Sequence, residues 1–450
     1  MKRWLWLSFA GAVVAAMGAT SYVLFSPKIG HASRAEIEAA LPTSLKIVEK
    51  RDPAGEARYF RLIELAKRLD KSPLRATSGA TDVAPAISLP ANERVLVQVE
   101  ALLAEGPLSV PPRASNSPFA PFTDLKDLAK LTAYAADAAG RRGDRATCAR
   151  WAALGLRLGQ ATVDSGGAII DALVAIAMDA IGVREAYAME VAGNFDAEGQ
   201  VHLLELLPPL DGTSPEMAAA IRRDFQSYFL PTLLDPQGHL KELVGNGYGE
   251  GLTDDGETPP LAGTFDPVET ARLAGRIYDA SMVDLMRRYP DERHDAERIN
   301  ERAVAGLPWF PGNGGFARIL YRVRMNAGTN TLGRQAATTG VILNMGSATA
   351  RRAANRNLLR ATILLRRDGK AVIADPFGKG DLRFDPKRKV VWSVGTNGKD
   401  DGGNIGKGGE YGKPDLGYPY GDHSWQPNAT QLGPHAPGGP AIPGLPPRAP

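Results

Sequence analysis

AIIDALVAIAMDAIGVREAYAMEV, residues 168–191, is apolar on nearly every side of a helix. Such a stretch is either a membrane span or the middle of a helical bundle. Asp171, Asp179, Arg184 and Glu185 separate the two readings. Each charge near a bilayer centre costs roughly 2.5–3.5 kcal/mol. The segment is therefore expected to be a central helix surrounded by other helices, which makes the chain mainly α with a multi-helix body.

The flanking sequence supplies those neighbours. Thr123 precedes DLKDLAKLTAYAADAAG and Asp144 precedes RATCARWAALGLRLGQA, each a suitable N-cap before an amphipathic run. Arg141-Arg142-Gly143 joins the two, so an antiparallel helical hairpin is predicted. Downstream, Ser214-Pro215-Glu216 places a cap before Pro at the first helical position. Asp266-Pro267-Val268-Glu269 has capping-box spacing and opens a helix to Arg288. Tyr289-Pro290 ends it, and another helix is expected through Val304. A basic helix over 349–365 closes the body, with Arg351, Arg352, Arg356 and Arg360 at helical spacing. Such a stripe reads by default as a solvated face, and alternatively as a surface for acidic lipid or a partner.

Before the hairpin the helical pattern is interrupted. Ser33 is placed to cap a short helix through Leu41, a second runs from Gly55 to Leu69, and a third starts at Asn92 and ends near Gly106. Residues 71–91 and 107–122 are rich in Pro and Ser and read as connectors, and 245–263 as a Gly- and acid-rich surface loop. No fixed-period repeat is present.

Lys2 and Arg3 precede an uncharged stretch from Trp4 to Phe25. At 1.5 Å per residue this covers roughly 33 Å, enough for a single N-terminal transmembrane helix. The positive-inside rule then places everything after Lys28 outside the cytoplasm. A cleaved signal peptide ending near Ala15–Ala19 is the competing reading. Both export the body, and a single Cys (Cys148) suits an oxidising compartment.

After Arg367 the period changes from helical to alternating. Lys370–Ala374 is β-like, Asp375-Pro376-Phe377-Gly378 turns, and Leu382/Phe384 and Val390/Trp392/Val394 alternate around Asp385-Pro386-Lys387-Arg388. A small β-hairpin module is predicted. Beyond it the chain becomes a Pro/Gly tail without the means to form a core.

Composition excludes several classes of function. Lys+Arg number 53 and Asp+Glu 50, a net charge of +3, so nucleic acid is not an expected partner. One Cys excludes an intramolecular disulfide framework and a Cys-based zinc site. No Gly-x-Ser-x-Gly elbow or His-Glu-x-x-His helix occurs, and the six His are scattered. Cys148, beside Ala146 and Trp151 on an amphipathic helix, is expected to be a buried, inert thiol. Trp309-Phe310 is expected to cap a core. Asp171 and Asp179, eight apart, read either as separately bonded buried acids or as a carboxylate pair with Tyr187 nearby.

The stretch DPFGKGDLRFDPKRKVVWSVGTNGKDDGG (375–403) resembles the C-terminal region of the type II secretion major pseudopilins. That family carries Asp-Pro-Trp-Gly, a β-hairpin, Ser-x-Gly-x-Asp-Gly and a Gly-Gly pair. The counterparts are Asp375–Gly378, Ser393–Gly398 and Gly402-Gly403. The overall plan resembles membrane-anchored helical bacterial proteins that carry such a module. The resemblance implies a calcium loop, with Asn397, Asp400 and Asp401 as candidate metal ligands and calcium as cofactor. Two family acids are replaced here, by Asn397 and by Val390, and an EF-hand register fails because Lys399 falls at the third position. The N-terminus lacks a prepilin leader, so the implied relation is a shared module.

The expected organisation is 1–27 anchor, 28–122 helices with connectors, 123–366 helical domain, 367–415 pseudopilin-like β module and 416–450 disordered tail. The expected function is a non-enzymatic scaffold or accessory factor in a bacterial inner membrane, its body in the periplasm or cell exterior. Its partners are then the membrane and other proteins. The alternative is an exported hydrolase or ligand-binding protein with its site in the helical body around Asp171, Asp179 and Tyr187.

Overall fold

The computed structural model describes residues 28–29, 31–47, 50–71, 89–112, 121–235, 264–291, 295, 298–299, 345–403 and 415–421. The expected anchor, most of the 71–91 connector and the whole 245–263 loop lie outside them. So do most of the helix expected through Val304, the Trp309-Phe310 loop and the tail beyond 421. The helices are α1 (Arg34–Ala40), α2 (Pro53–Lys67), α3 (Leu89–Ala104), α4 (Phe122–Arg141), α5 (Arg145–Asp164) and α6 (Ile169–Val191). They continue as α7 (Ala197–Glu205), α8 (Pro215–Asp224), α9 (Leu230–Leu234), α10 (Pro267–Leu285) and α11 (Met345–Asp368). The strands are β1 (Lys28–Ile29), β2 (Thr264–Phe265), β3 (Arg383–Asp385), β4 (Val390–Ser393) and β5 (Leu416–Pro419). The protein is thus mainly helical with a small three-stranded antiparallel sheet.

The chain divides into two compact units, each assembled from separated stretches of sequence. One comprises 1–48, 225–281 and 294–343. Here α1 is held by a capping box between Ser33 and Glu36. Asp266 accepts from the backbone N–H of Val268 and Glu269 at the start of α10, as its spacing predicts. α10 ends at Leu285, one turn before the expected Arg288. Phe225 meets Tyr278 edge-on at 5.1 Å, and Gln226 donates to the carbonyls of Leu45 and Ile47.

The other unit comprises 49–224, 282–293 and 344–450. Its main hydrophobic cluster is drawn from α2 to α7, with Leu359 and Ile363 of α11, and smaller clusters join α11 to residues 373–394. Each fully buried Leu there contributes roughly 1.5–3 kcal/mol. α4 and α5 form the expected hairpin, and Asp144 caps α5 by accepting from Thr147 N–H. Two local expectations change. α4 starts at Phe122, because the Pro121 carbonyl already accepts from Asp124 and Leu125, which leaves Thr123 inside the first turn. Asn92 lies within α3, where its buried amide pairs with both backbone groups of Asp70. The start of the second connector is part of the core, since Leu108 and Val110 are buried and Val110 N–H donates to the Ser165 carbonyl.

α6 packs against α4, α5, α8 and α11. No helix among the described residues is long and apolar enough to cross a membrane. The α5–α6 crossing is set by glycine. A Cβ on Gly182 would lie 2.8 Å from the Gly155 carbonyl, and one on Gly159 2.5 Å from Asp179 Cα. Only hydrogen at these positions lets the two backbones touch.

The sheet order is β3-β4-β5. Arg383 pairs with Trp392 and Asp385 with Val390, as the hairpin reading requires, while Phe384 remains 40% exposed. β5 is an addition. Leu416–Pro419 pairs antiparallel with Val390–Ser393, although 416 was expected to begin the tail. Tyr418 stacks on Tyr187 of α6 at 4.1 Å, and Leu416 packs against α11. This burial draws a short Gly- and Pro-containing segment into the sheet.

Candidate functional site

α11 carries the polar centre of the larger unit. Its arginine stripe is not the solvated face expected from sequence. Arg356 is 1% and Arg352 10% exposed at the side chain. Both reach Asp179 in the middle of α6: Arg356 Nη1 donates to Oδ1 at 2.6 Å and Arg352 Nε to Oδ2 at 3.0 Å. Arg356 Nη2 continues to the Leu206 carbonyl, and Arg360 Nη1 to those of Leu204 and Leu207. These carbonyls sit at the C-terminus of α7, where a helix has no internal donors and favours positive charge. Burial pulls the Arg356 guanidinium below its ordinary pKa, opposed by Asp179. The stripe is buried because α6 and α7 supply acceptors that no helical spacing on α11 reveals.

Further along the helix, fully buried Asn357 accepts from Leu210 N–H at 2.9 Å and donates to the carbonyls of Leu210 and Ala374. Arg366 pairs with Glu190 of α6 at 3.1 Å and donates to the Tyr420 carbonyl beyond β5. Burial raises the pKa of Glu190, opposed by Gln200 and Arg366. A single helix thus fastens α6, α7, the 206–210 loop and the β module.

A cleft of about 380 Å³ opens beside this centre, lined by Gln160, Asp211, Thr213, Glu216 and Arg352 among others. Arg352 Nη2 donates to Gln160 at 2.6 Å. Asp171, Asp179 and Tyr187 do not line it. Each has its own partner: Asp171 accepts from Ala168 N–H at 3.0 Å, Asp179 holds the two arginines, and Tyr187 donates to the Pro419 carbonyl at 2.7 Å. Cys148 is fully buried, and loss of solvent pushes its thiol up to about 12, as expected of an inert cysteine.

In the β module, Asp375 joins the two sequence elements 375–378 and 393–398. Its Oδ1 accepts from Phe377 N–H at 3.0 Å and from Ser393 Oγ at 2.6 Å, and its Oδ2 from Val394 N–H at 3.0 Å. Arg288 clamps the turn through the carbonyls of Asp375 and Gly378, and Phe377 docks edge-on against Tyr289.

Asn397, Asp400 and Asp401 do fall on one loop, where both Asp400 oxygens, the Asn397 amide oxygen and Asp401 Oδ2 already accept hydrogen bonds or pair with a cation. Asp400 Oδ1 accepts from the Trp392 indole and Gly402 N–H, both at 3.0 Å, and Oδ2 pairs with Arg383 at 2.8 Å. Asn397 accepts from Lys399 N–H and donates to Asp401. Asp415, buried and absent from the expected set, accepts from Asp401 N–H and Gly403 N–H. Calcium takes six to eight oxygens. Among the described residues no three acidic, His or Cys side chains are placed to hold a metal.

Comparison with protein-family models, with curated proteins and with solved structures returns no match.

Proposed function

We propose that the chain is a non-enzymatic envelope protein, held in a bacterial inner membrane by its N-terminal span. Its body stands in the periplasm or at the cell exterior, as a scaffold or accessory factor in type II-like secretion or envelope assembly. The observation that carries this reading is the use of the buried polar groups. Asp179, Arg356, Asn357 and Arg360 each tie one element to another. A body braced in this way suits a rigid support that presents surfaces to other proteins. The uncharged stretch behind Lys2 and Arg3 supports the anchor and its orientation.

Two measurements test it. A C-terminal alkaline-phosphatase fusion should be active and a C-terminal GFP fusion dark; the reverse pattern sinks the topology. Photo-crosslinking in cells should then return a recurring protein partner, and its absence across the exposed surface counts against the scaffold.

The cleft favours a second reading, an exported ligand-binding protein or hydrolase. Its volume of about 380 Å³ falls within the range of small-molecule sites. Arg352, Asp211 and Glu216 give it both signs of charge, which suits a small polar ligand. A saturable rise in melting temperature with one member of a polar metabolite panel, lost in Glu216→Ala, would select this reading.

A further inference from the structure

We propose that the guanidinium groups of Arg383 and Arg388 are the resident cations of the 393–403 loop, so that the β module closes without a metal ion. The two arginines come from positions set by the hairpin. Arg383 lies on β3 opposite Trp392, and both side chains converge on Asp400. Arg388 lies in the β3–β4 turn, where Asp385 accepts from the N–H groups of Lys387 and Arg388. Its Nη1 donates to the Gly402 carbonyl and its Nη2 to the Gly403 carbonyl, both at 2.7 Å.

These two carbonyls follow directly on Asp400 and Asp401, so a divalent ion drawn to those acids would compete for them. A planar guanidinium presents paired N–H groups that span two adjacent acceptors, a geometry an ammonium cannot copy. Other loop groups are bonded locally: Gly398 N–H donates to the Gly395 carbonyl and Lys399 N–H to Asn397. Asp415 takes the N–H groups of Asp401 and Gly403, and a Cβ on Gly403 would lie 2.9 Å from the Trp392 ring. The left-handed φ of Gly402 (72°) and Gly403 (68°) turns their carbonyls without the strain another residue would bring. Together the arginines carry the same charge as one divalent ion, as directional bonds instead of a coordination sphere. A cation placed at the Gly402 and Gly403 carbonyls would have to displace Arg388 and tolerate its charge.

The test is hydrogen exchange of the full-length protein, read by mass spectrometry over peptides spanning 393–403, in millimolar calcium and in EDTA. Wild-type protection should be the same in both. Calcium-dependent protection of this segment, or a calcium-dependent rise in melting temperature, overturns the proposal and needs no variant. Arg388→Ala should speed exchange in the segment about tenfold or more, the loss expected for a charge-assisted bond, while α4–α6 stay protected. Arg388→Lys should restore little of it. Unchanged exchange in Arg388→Ala, or full rescue by Lys, also overturns the proposal.

Discussion

Arg356 and Asp179 form an ion pair at 2.6 Å in which both side chains are only 1% exposed. The pair joins the middle of α11 to the middle of α6, and the second Asp179 oxygen takes Arg352 at 3.0 Å. Two buried charges lose most of their hydration, and their attraction offsets this only when the remaining donors and acceptors are used. Here Arg356 also reaches the Leu206 carbonyl, so the pair is part of how α7 ends.

Removing one partner is therefore the damaging change. Asp179→Ala leaves Arg356 buried without its counter-charge and should destabilise the protein by about 3–5 kcal/mol. The double substitution Asp179→Leu with Arg356→Met should lose less than Asp179→Ala alone, because no uncompensated charge remains. Urea unfolding of the wild type and both variants checks the ordering.

The α5–α6 crossing makes a second prediction. In Gly182→Ala the new methyl group meets the Gly155 carbonyl at 2.8 Å, so the helices must separate. Overpacking of this kind costs about 1–3 kcal/mol. Thermal unfolding followed by circular dichroism should show a clear fall in Tm for Gly182→Ala. Gly143→Ala, in the α4–α5 turn, has open space around its Cβ but a left-handed φ of 73°. It should cost less, about 1 kcal/mol.

Glu185 supplies a pH dependence. Loss of solvent, reinforced by the Asp137 carboxylate, raises its pKa to about 8. Above the ordinary carboxylate range the unfolded chain has lost this proton while the folded chain keeps it. Stability should therefore fall as pH rises from about 5 towards about 8. Glu185→Gln should reduce that slope and raise Tm at the upper end of the window, leaving the part that Glu190 adds in the same direction. An unchanged slope would assign the effect to another group.

Cys148 should be silent towards thiol reagents. It is fully buried with its pKa raised to about 12, so little thiolate is present and none is accessible. Ellman's reagent should not react with the native protein and should titrate one thiol after denaturation.

Much of the helical architecture is written locally. Ser33, Asp144, Ser214 and Asp266 all cap helices where their spacing places them, because a cap is a contact between residues two or three apart. The charges within 168–191 likewise mark a protein interior. The Asp375 and Asp385 turns are legible for the same reason, as each carboxylate accepts from N–H groups two or three residues on.

The candidate site was much less legible. Gly155 and Gly159, four apart on α5, carried a readable hint of a close helix crossing, yet the partner Gly182 is visible only once α6 is packed. Nothing in the spacing of Arg352, Arg356 and Arg360 distinguishes a solvated stripe from a buried one. That depends on Asp179 and on the terminal carbonyls of α7, about 150 to 180 residues away in the chain. The arginines that engage the 393–403 loop are equally hidden from its own sequence, because they approach from the opposite strand and turn. Local sequence settles where helices begin and turns fold, since those contacts span a few residues. Which charges are buried, and which cation meets which oxygen, is settled only when distant elements close on one another.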